Sequence, residues 1–219
     1  MDDEARVRKK FLRLCEKINF RVCTTYTWLL RSSLKSCGPG VLLFFPVRFG
    51  KPESITVGKG CVIYPRAWIN VVTAWKGITY DGEIRLGDRV GIGYAVHISA
   101  ARSIVIEDDV GIAMGAVITD HIHDYRHLDV SIFEAPLSAP KPVRIGKGSF
   151  LGAHCMIGPG VQVGEHSLVC ANAVVVNDVP AFSMAVGNPA RVVRFHSPST
   201  NAHTSQGLAE SEHARNRSH

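Results

Sequence analysis

The feature that most constrains this chain is a six-residue repeat between Val143 and Asp178. Six aliphatic residues fall at every sixth position, and four of them are followed directly by glycine. The repeated residues are Ile145, Leu151, Ile157, Val163, Val169 and Val175. This period fits neither the roughly 3.6-residue turn of an α-helix nor the two-residue alternation of a half-buried strand. It is typical of a parallel β-helix, in which each short strand forms one flat side of a coil and its aliphatic side chain points inward.

The same repeat occurs twice earlier in the chain. One run begins at Val57, and a second begins at Leu86 and resumes at Ile106 after a slip of two residues. At about eighteen residues per three-sided turn, all the runs together amount to about five coils. Glycine or asparagine is expected at the corners, where the backbone angles suit few other residues. The sequence therefore predicts a mainly β protein with a parallel β-helix domain over residues 41–195.

The first 40 residues form a separate amphipathic helical region in this interpretation. Val7, Phe11, Leu14, Ile18 and Val22 are spaced as one face of a helix over residues 5–22, and a second helix over residues 24–36 would follow. The apolar face could cap the open end of the coil stack, whose exposed edges would otherwise aggregate. It could also lie on an anionic membrane surface. We favour the cap, and the two roles are compatible.

Charge and cysteine content limit the other function classes. The net charge is +6, and seven basic residues lie within the first 21 positions. A solvated helix face is the commoner cause of such an excess, so no nucleic-acid partner is expected. The sequence shows neither a secretory signal nor an apolar run that could cross a bilayer, and its six cysteines lack metal-finger spacing. We expect a cytoplasmic protein with free thiols, at the inner face of the cell membrane if the helix binds it, and a disordered tail over residues 196–219.

A long interruption of the repeat, residues 119–142, is the main candidate for function. Loops of this length inside a regular array are usually functional or disordered, and Tyr125 and Phe133 favour an ordered one. The loop contains three of the ten histidines, at positions 121, 123 and 127, beside three aspartates at positions 120, 124 and 129. We therefore expect an extruded loop that carries titratable side chains next to the coil.

The repeat, the histidine-bearing loop before Pro142-Val143-Arg144-Ile145-Gly146 and the ending Gly187-Asn188-Pro189-Ala190-Arg191 resemble the hexapeptide-repeat acyltransferases. The similarity is greatest to the O-acetyltransferases that modify sugars, antibiotics and bacterial surface polysaccharides, and it covers about residues 57–194. The resemblance implies a left-handed parallel β-helix, a homotrimer, and acetyl-CoA bound in the groove between subunits. It implies acetyl transfer to a saccharide hydroxyl, with a bacterial surface polysaccharide or its precursor as the expected acceptor.

Acetyl transfer to a hydroxyl group needs a base, and neutral imidazole is well suited to that role near pH 7. The family carries such a histidine near the start of its loop, and two residues compete for the place here. We favour His123, because His-Asp-Tyr resembles the family motif, over His121, which lies nearer the last strand. Asp120 or Asp124 would hold the other ring nitrogen and fix the tautomer, and the sequence leaves that choice open.

The resemblance also implies a set of acetyl-CoA contacts. Gly152, Ala153 and Ala171 would lie along the pantetheine arm, and Phe150 stands where many relatives carry tryptophan. Arg191 and Arg194 are candidates for the phosphate groups. For Gly152, packing between coils is an equally good explanation of a small residue at this position.

Three other functions are compatible with the sequence. The amino group of an amino sugar could replace the hydroxyl as acceptor. A zinc enzyme like the γ-class carbonic anhydrases would use His121, His123 and His127 as ligands, although histidines in that group sit on the coil faces. A non-catalytic scaffold is the third possibility. We expect acetyl-CoA as the donor and no required metal.

Overall fold

A computed structural model describes residues 2–195, so the predicted disordered tail lies outside the described residues. The chain begins with one continuous helix, α1, over Asp2–Arg31. The expectation of two helices, with the second starting at Thr24, is wrong, because helical spacing of apolar side chains continues without a break through that point. No helix among the described residues combines the length and the hydropathy of a bilayer-crossing segment.

The strands stack into three parallel sheets that form the sides of a prism. Sheet I has six strands, namely β1 (Ser36–Cys37), β4 (Ile55–Val57), β9 (Glu83–Leu86), β12 (Ser103–Ile106), β15 (Val143–Ile145) and β18 (Gln162–Val163). Sheet III also has six, namely β3 (Arg48–Gly50), β6 (Trp68–Val71), β11 (His97–Ala100), β14 (Val117–Thr119), β17 (Met156–Ile157) and β20 (Val174–Val175).

Sheet II has eight strands, namely β2 (Leu42–Leu43), β5 (Val62–Ile63), β10 (Gly91–Ile92), β13 (Gly111–Ile112), β16 (Phe150–Leu151), β19 (Leu168–Val169), β21 (Ser183–Val186) and β22 (Arg191–Phe195). The chain visits the sheets in the order I, II, III, so six strands in sheets I and III correspond to six complete coils. The predicted parallel β-helix is confirmed. It begins at Ser36, one coil earlier than the repeat indicated.

The repeated aliphatic residues form the core, as the sequence predicted. In sheet II they lie directly over one another, from Ile63 through Ile92, Ile112 and Leu151 to Val169. Every one of them is almost completely buried. Each coil therefore contributes one aliphatic side chain per side to a continuous column, and burying such a side chain contributes about 1.5–3 kcal/mol.

The corners agree only in part with the expected glycine or asparagine. Gly115 and Asn172 have left-handed φ of 68° and 58° at the corner after sheet II, but Arg66, Ala95 and His154 have it at the same corner of other coils, with φ of 63°, 54° and 56°. The glycines that follow the aliphatic residues serve close packing. A Cβ on Gly152 would lie 2.5 Å from the backbone nitrogen of Ala171, and one on Gly146 would lie 2.5 Å from that of Glu165. Substitution there would force neighbouring coils apart.

Two insertions interrupt the coils. Residues 71–82 contain a short hairpin, β7 (Ala74–Trp75) and β8 (Ile78–Thr79), whose turn has positive φ at Lys76 and Gly77. The second is the predicted extruded loop, which leaves the prism after β14 and returns at β15. The hairpin supports this loop, since the indole nitrogen of Trp75 donates a hydrogen bond of 3.0 Å to the Ala135 carbonyl.

The two ends of the prism are closed differently. The last part of α1 packs over the first coil, where Cys23 is buried, Tyr26 donates a hydrogen bond to the Val47 carbonyl and Thr27 accepts one from the Leu43 amide. At the other end β22 turns back and pairs antiparallel with β21. The predicted cap is therefore formed by residues 23–31, whereas residues 5–22, predicted as its apolar face, are exposed throughout.

Candidate functional site

Asp120 is the side chain that ties the extruded loop to the prism. Its carboxylate is fully buried and accepts backbone N–H groups from Ala101, Arg102 and Ser103 at 2.8, 2.7 and 2.8 Å. These three amides belong to the tight corner between β11 and β12, where the six-residue repeat slips by two. Eight residues instead of six separate Ile98 from Ile106 here. The amides at this corner have no partner strand, and a carboxylate from the next coil satisfies them.

The same carboxylate orients His121. Asp120 Oδ1 lies 2.7 Å from His121 Nδ1, and the imidazole is 11% exposed. An ionised carboxylate can only accept, so the ring proton resides on Nδ1 and the lone pair is on Nε2. The Thr119 hydroxyl adds a 2.8 Å hydrogen bond to the His121 carbonyl and fixes the backbone at this point. His121 thus presents an oriented, mostly buried base.

His97 lies close to His121 on the outer face of sheet III. Its ring is stacked on the indole of Trp68, with centroids 4.5 Å apart and planes inclined by 1°. Burial lowers the pKa of His97, and the nearby His121 lowers it further. Its buried Nε2 has no hydrogen-bond partner among the residues that the structure describes. The sequence did not predict a role for His97 in the site. His97 comes near the loop only through the alignment of neighbouring coils, and the sequence of a single coil does not show that alignment.

His123, the favoured candidate from the sequence, has a different environment. Its side chain is exposed and packs edge-on against Trp75, with ring centroids 5.1 Å apart. Its backbone pairs with Leu137 across the loop. Asp124, one of the two candidates for holding the imidazole, binds the Arg126 guanidinium with both carboxylate oxygens at 2.7 Å and forms no hydrogen bond with the His123 ring. That hydrogen-bonded pair lowers the pKa of Asp124 to about 2.

The three loop histidines do not converge. His121 contacts Asp120, His123 contacts Trp75, and His127 Nε2 lies 3.6 Å from Asp124 Oδ2. Across residues 2–195, no three histidine, cysteine, aspartate or glutamate side chains are arranged to hold one metal ion. The geometry therefore gives the zinc-site alternative no support.

The residues expected to contact acetyl-CoA lie along sheet II and the corner that follows it. Phe150 is 48% exposed on the outer face, in the same column as Leu168, Met184 and Arg194. Ala153 and Ala171 occupy equivalent places at the next corner, where the Asn172 amide donates to the Ala153 carbonyl. Gly152 directly precedes Ala153, and a Cβ on it would meet the backbone of Ala171 in the next coil.

The two basic candidates lie on the terminal strand. Arg191 and Arg194 are exposed on β22, and Arg191 lines a groove of about 310 Å³ at the end of the prism with Asn177 and Val192 among its neighbours. No carboxylate forms a salt bridge with either guanidinium among the described residues. Arg191 donates a 3.1 Å hydrogen bond to the Ala190 carbonyl, and both guanidinium groups are exposed to an anionic group.

Within one protomer the two groups of candidates stand apart. Asp120 and His121 lie where sheet III meets sheet I, whereas Ala153 and Ala171 lie where sheet II meets sheet III. The outer face of sheet III, with Trp68 and His97, separates them. One protomer does not by itself surround a substrate with both groups.

The family model that matches the chain is described as the hexapeptide repeat of succinyl-transferase, and it covers residues 142–176. A putative acetyltransferase of Staphylococcus aureus strain COL is 47% identical over 53 residues, which cover 24% of this chain and 27% of the relative. This match therefore spans about a quarter of the relative's length. The galactoside O-acetyltransferase of Escherichia coli K12 is 26% identical over 149 residues, which cover 68% of this chain and 70% of that protein.

Solved structures show the same fold. AntD of Bacillus cereus, an N-acyltransferase in complex with dTDP and 3-hydroxybutyryl-CoA, is 18% identical, with a TM-score of 0.66 over 88% of this chain and 95% of AntD. The acetyltransferase domain of PglB from Neisseria gonorrhoeae, in complex with acetyl coenzyme A, is 21% identical, with a TM-score of 0.51 over 70% of this chain and 58% of that chain. The predicted left-handed parallel β-helix is confirmed by these similarities.

Proposed function

We propose that this chain, which belongs to the hexapeptide-repeat acetyltransferase family, transfers an acetyl group from acetyl-CoA to a hydroxyl group of a saccharide. The observation that carries the proposal is the buried Asp120–His121 pair at the base of the extruded loop. Such a pair supplies what acetyl transfer to an alcohol requires, namely a neutral base with a fixed tautomer. A unit of bacterial surface polysaccharide or its precursor is the acceptor expected from the resemblance.

In the proposed mechanism His121, rather than His123, is the general base. Nε2 of His121 removes the proton from the sugar hydroxyl while the oxygen attacks the thioester carbonyl carbon. The carbon–sulfur bond then breaks, and the imidazolium returns the proton to the departing CoA thiolate. Asp120 remains ionised throughout, because its role is to hold Nδ1–H and stabilise the imidazolium. Base catalysis of this kind commonly contributes about 10²–10⁴-fold in rate.

The donor is proposed to lie along the corner formed by Gly152, Ala153 and Ala171. Small side chains at this corner leave room for an extended pantetheine arm, and Phe150 adds an apolar wall. Arg191 and Arg194 would meet the phosphates, since their guanidinium groups are exposed on the same sheet. Arg194→Gln should raise the KM for acetyl-CoA about tenfold, roughly the loss of one charge-assisted hydrogen bond, and leave kcat unchanged.

The separation of these groups within one protomer supports a homotrimer as the active form. A second protomer packed beside the first would place the His121 of one chain opposite the donor corner of its neighbour. Mixing His121→Gln protein with Ala171→Trp protein tests this arrangement, because each variant alone lacks one half of every site. Mixed trimers should recover part of the activity if the sites are shared, and none if each protomer is self-sufficient.

The central experiment measures thiol release from acetyl-CoA against a panel of sugars and polysaccharides, with wild type, His121→Gln and His123→Gln. We expect His121→Gln to lower kcat by about 10³-fold and His123→Gln to lower it by less than about tenfold. Circular dichroism of each variant checks the fold. Unchanged turnover in His121→Gln would remove the proposed base, and loss only in His123→Gln would transfer the role to His123.

An amino group is the second candidate acceptor, and the similarity to AntD, an N-acyltransferase, is the observation that favours it. Glucose and glucosamine, offered at the same concentration, form a matched pair because they differ only in this group at carbon 2. Products that release acetate under mild base are esters, whereas amides survive the treatment. Transfer to the amine alone would replace O-acetylation with N-acetylation without changing the role of His121.

A further inference from the structure

The exposed part of α1 carries an apolar stripe that nothing in the described residues covers. Six large side chains on it are at least half exposed, namely Val7, Phe11, Leu14, Ile18, Val22 and Leu29. At about 100° per residue they lie within one narrow sector of the helix. Soluble proteins rarely leave a continuous apolar surface of this kind in water without a partner.

This stripe is not the face that caps the prism. The capping contacts are made by Cys23, Tyr26, Thr27 and Leu30, which are centred about a quarter of a turn or more away from the stripe. Leu29 shows the difference directly, because it is 59% exposed while its neighbour Leu30 packs against the core. One rigid helix therefore has two apolar faces, and only one of them is used by the fold.

The side of the helix away from the stripe is strongly basic. Residues 6–21 contain seven basic side chains and one acidic side chain, Glu16, for a net charge of +6. Six of the seven fall in the half of the helix opposite or beside the stripe, namely Arg6, Lys9, Lys10, Arg13, Lys17 and Arg21. Three further acidic residues, Asp2, Asp3 and Glu4, precede this segment in the chain.

We propose that residues 5–22 of α1 bind the surface of a bilayer that contains anionic phospholipid, with the apolar stripe inserted between the headgroups. An apolar stripe flanked by lysine and arginine is the arrangement that buries acyl-chain contacts and keeps the charges at the headgroup level. Each basic side chain near an anionic surface adds to the attraction. The capping residues 23–31 fix the helix to the prism, so the whole enzyme is held at the surface.

A second copy of the chain is a poorer occupant of the stripe. Pairing two or three helices along it would bring together segments that each carry a net charge of +6. Like charges at such distances repel one another unless salt screens them. An anionic lipid surface removes that repulsion, because its own charge is opposite in sign.

Two double variants of identical composition test the proposal. Phe11→Ser with Leu14→Ser removes two residues of the stripe, whereas Phe20→Ser with Leu12→Ser removes the same residue types from other faces. Phe11 and Phe20 are nine residues apart, about two and a half turns, and therefore lie on opposite sides of the helix. Their exposed fractions are 63% and 60%, and those of Leu12 and Leu14 are 58% and 54%.

Binding is measured by co-sedimentation of the full chain with vesicles of phosphatidylglycerol and phosphatidylcholine, and with phosphatidylcholine alone. We expect wild type and the Phe20/Leu12 variant to bind the anionic vesicles, with binding lost at high salt. The Phe11/Leu14 variant should bind at least about tenfold more weakly, since two large side chains no longer enter the bilayer. Thiol release with a soluble acceptor should be equal in all three proteins, so this outcome is separate from the test of the proposed function.

Three results would overturn the proposal. Wild-type protein that stays in solution with anionic vesicles has no lipid-binding face. Equal binding of the two double variants to anionic vesicles would mean that charge alone attracts the helix to the lipid and that the apolar stripe has no role in binding. A change in oligomeric state of the Phe11/Leu14 variant, measured by analytical ultracentrifugation without vesicles, would assign the stripe to a second copy of the chain.

Discussion

Two histidine–aspartate pairs lie within five residues of each other in the extruded loop, and their surroundings differ. The carboxylate of Asp120 is buried and bound to three amides of the previous coil, so the His121 ring that it holds is fixed to the prism. Asp124 is bound by Arg126, and His123 packs on Trp75 at the exposed side of the loop. A sequence motif therefore predicts the residue types, whereas the anchoring of the carboxylate decides which imidazole is oriented.

The largest expected difference between the pairs is in catalysis. Asp120→Asn keeps the shape of the side chain but offers an amide to the ring, which disturbs the tautomer of His121. We expect kcat to fall by about 10³-fold, within the range for loss of an oriented base. Asp124→Asn should change kcat by less than about threefold. Steady-state thiol release measures kcat for both variants. Similar losses of kcat in Asp120→Asn and Asp124→Asn would contradict the assignment of the catalytic role to the Asp120–His121 pair alone.

The next difference is in stability. Asp120→Ala leaves three backbone amides at a buried corner without their acceptor, and we expect a loss of about 3 kcal/mol or more in the free energy of unfolding. Asp124→Ala removes an ion pair whose arginine is 70% exposed, so a smaller shift is expected. Urea denaturation followed by circular dichroism compares the two. Equal midpoints would mean that the Asp120 contacts add nothing to the fold.

A smaller effect concerns the support of the His123 side of the loop. Trp75→Phe removes the hydrogen bond to the Ala135 carbonyl and should cost about 1 kcal/mol locally. Amide hydrogen exchange should become faster over residues 131–137, while kcat stays within about threefold because His121 is anchored elsewhere. Trp28→Phe, on exposed α1, is the control. A large loss of activity in Trp75→Phe would show that the hairpin also positions the base.

The smallest expected effect is on titration. Because the pKa of Asp124 is lowered to about 2 in the folded protein, its contact with Arg126 stabilises the loop above about pH 4, the unfolded value, and is lost as the pH falls toward 2. In Arg126→Ala the pKa of Asp124 should return toward its ordinary value. Carbon-13 NMR of the carboxyl group measures the change. An unchanged titration midpoint of Asp124 in Arg126→Ala would show that Arg126 is not the cause of the low pKa.

The sequence predicts the coils wherever isoleucine, leucine or valine repeats in register, and it misses the first coil. In that coil the equivalent positions are Cys37, Leu43 and Phe49, which lie directly beneath Val57, Ile63 and Ile69. Cysteine and phenylalanine weaken the aliphatic pattern. A short 3₁₀ turn at Pro52–Ser54 then shifts the repeat by two residues, so the run does not join the next one.

The residue types of the site were predictable from the sequence, but the histidine and aspartate that contact each other were not. Both aspartates stand next to a histidine in the chain, and nothing within the loop separates them. The choice of Asp120 depends on amides 17 to 19 residues away in sequence, which the coil brings beneath it. One signal was present, because the two extra residues between Ile98 and Ile106 mark an irregular corner whose amides need an acceptor.

The closed ends of the prism also determine how copies of the chain can meet. A stack of parallel coils could grow without limit if a second molecule continued the ladders at either end. The helix covers one end, and the reversed strand with its two arginines covers the other. Fibre growth along the axis is thereby blocked, and neighbours can approach only from the side, where the flat faces and the loop are.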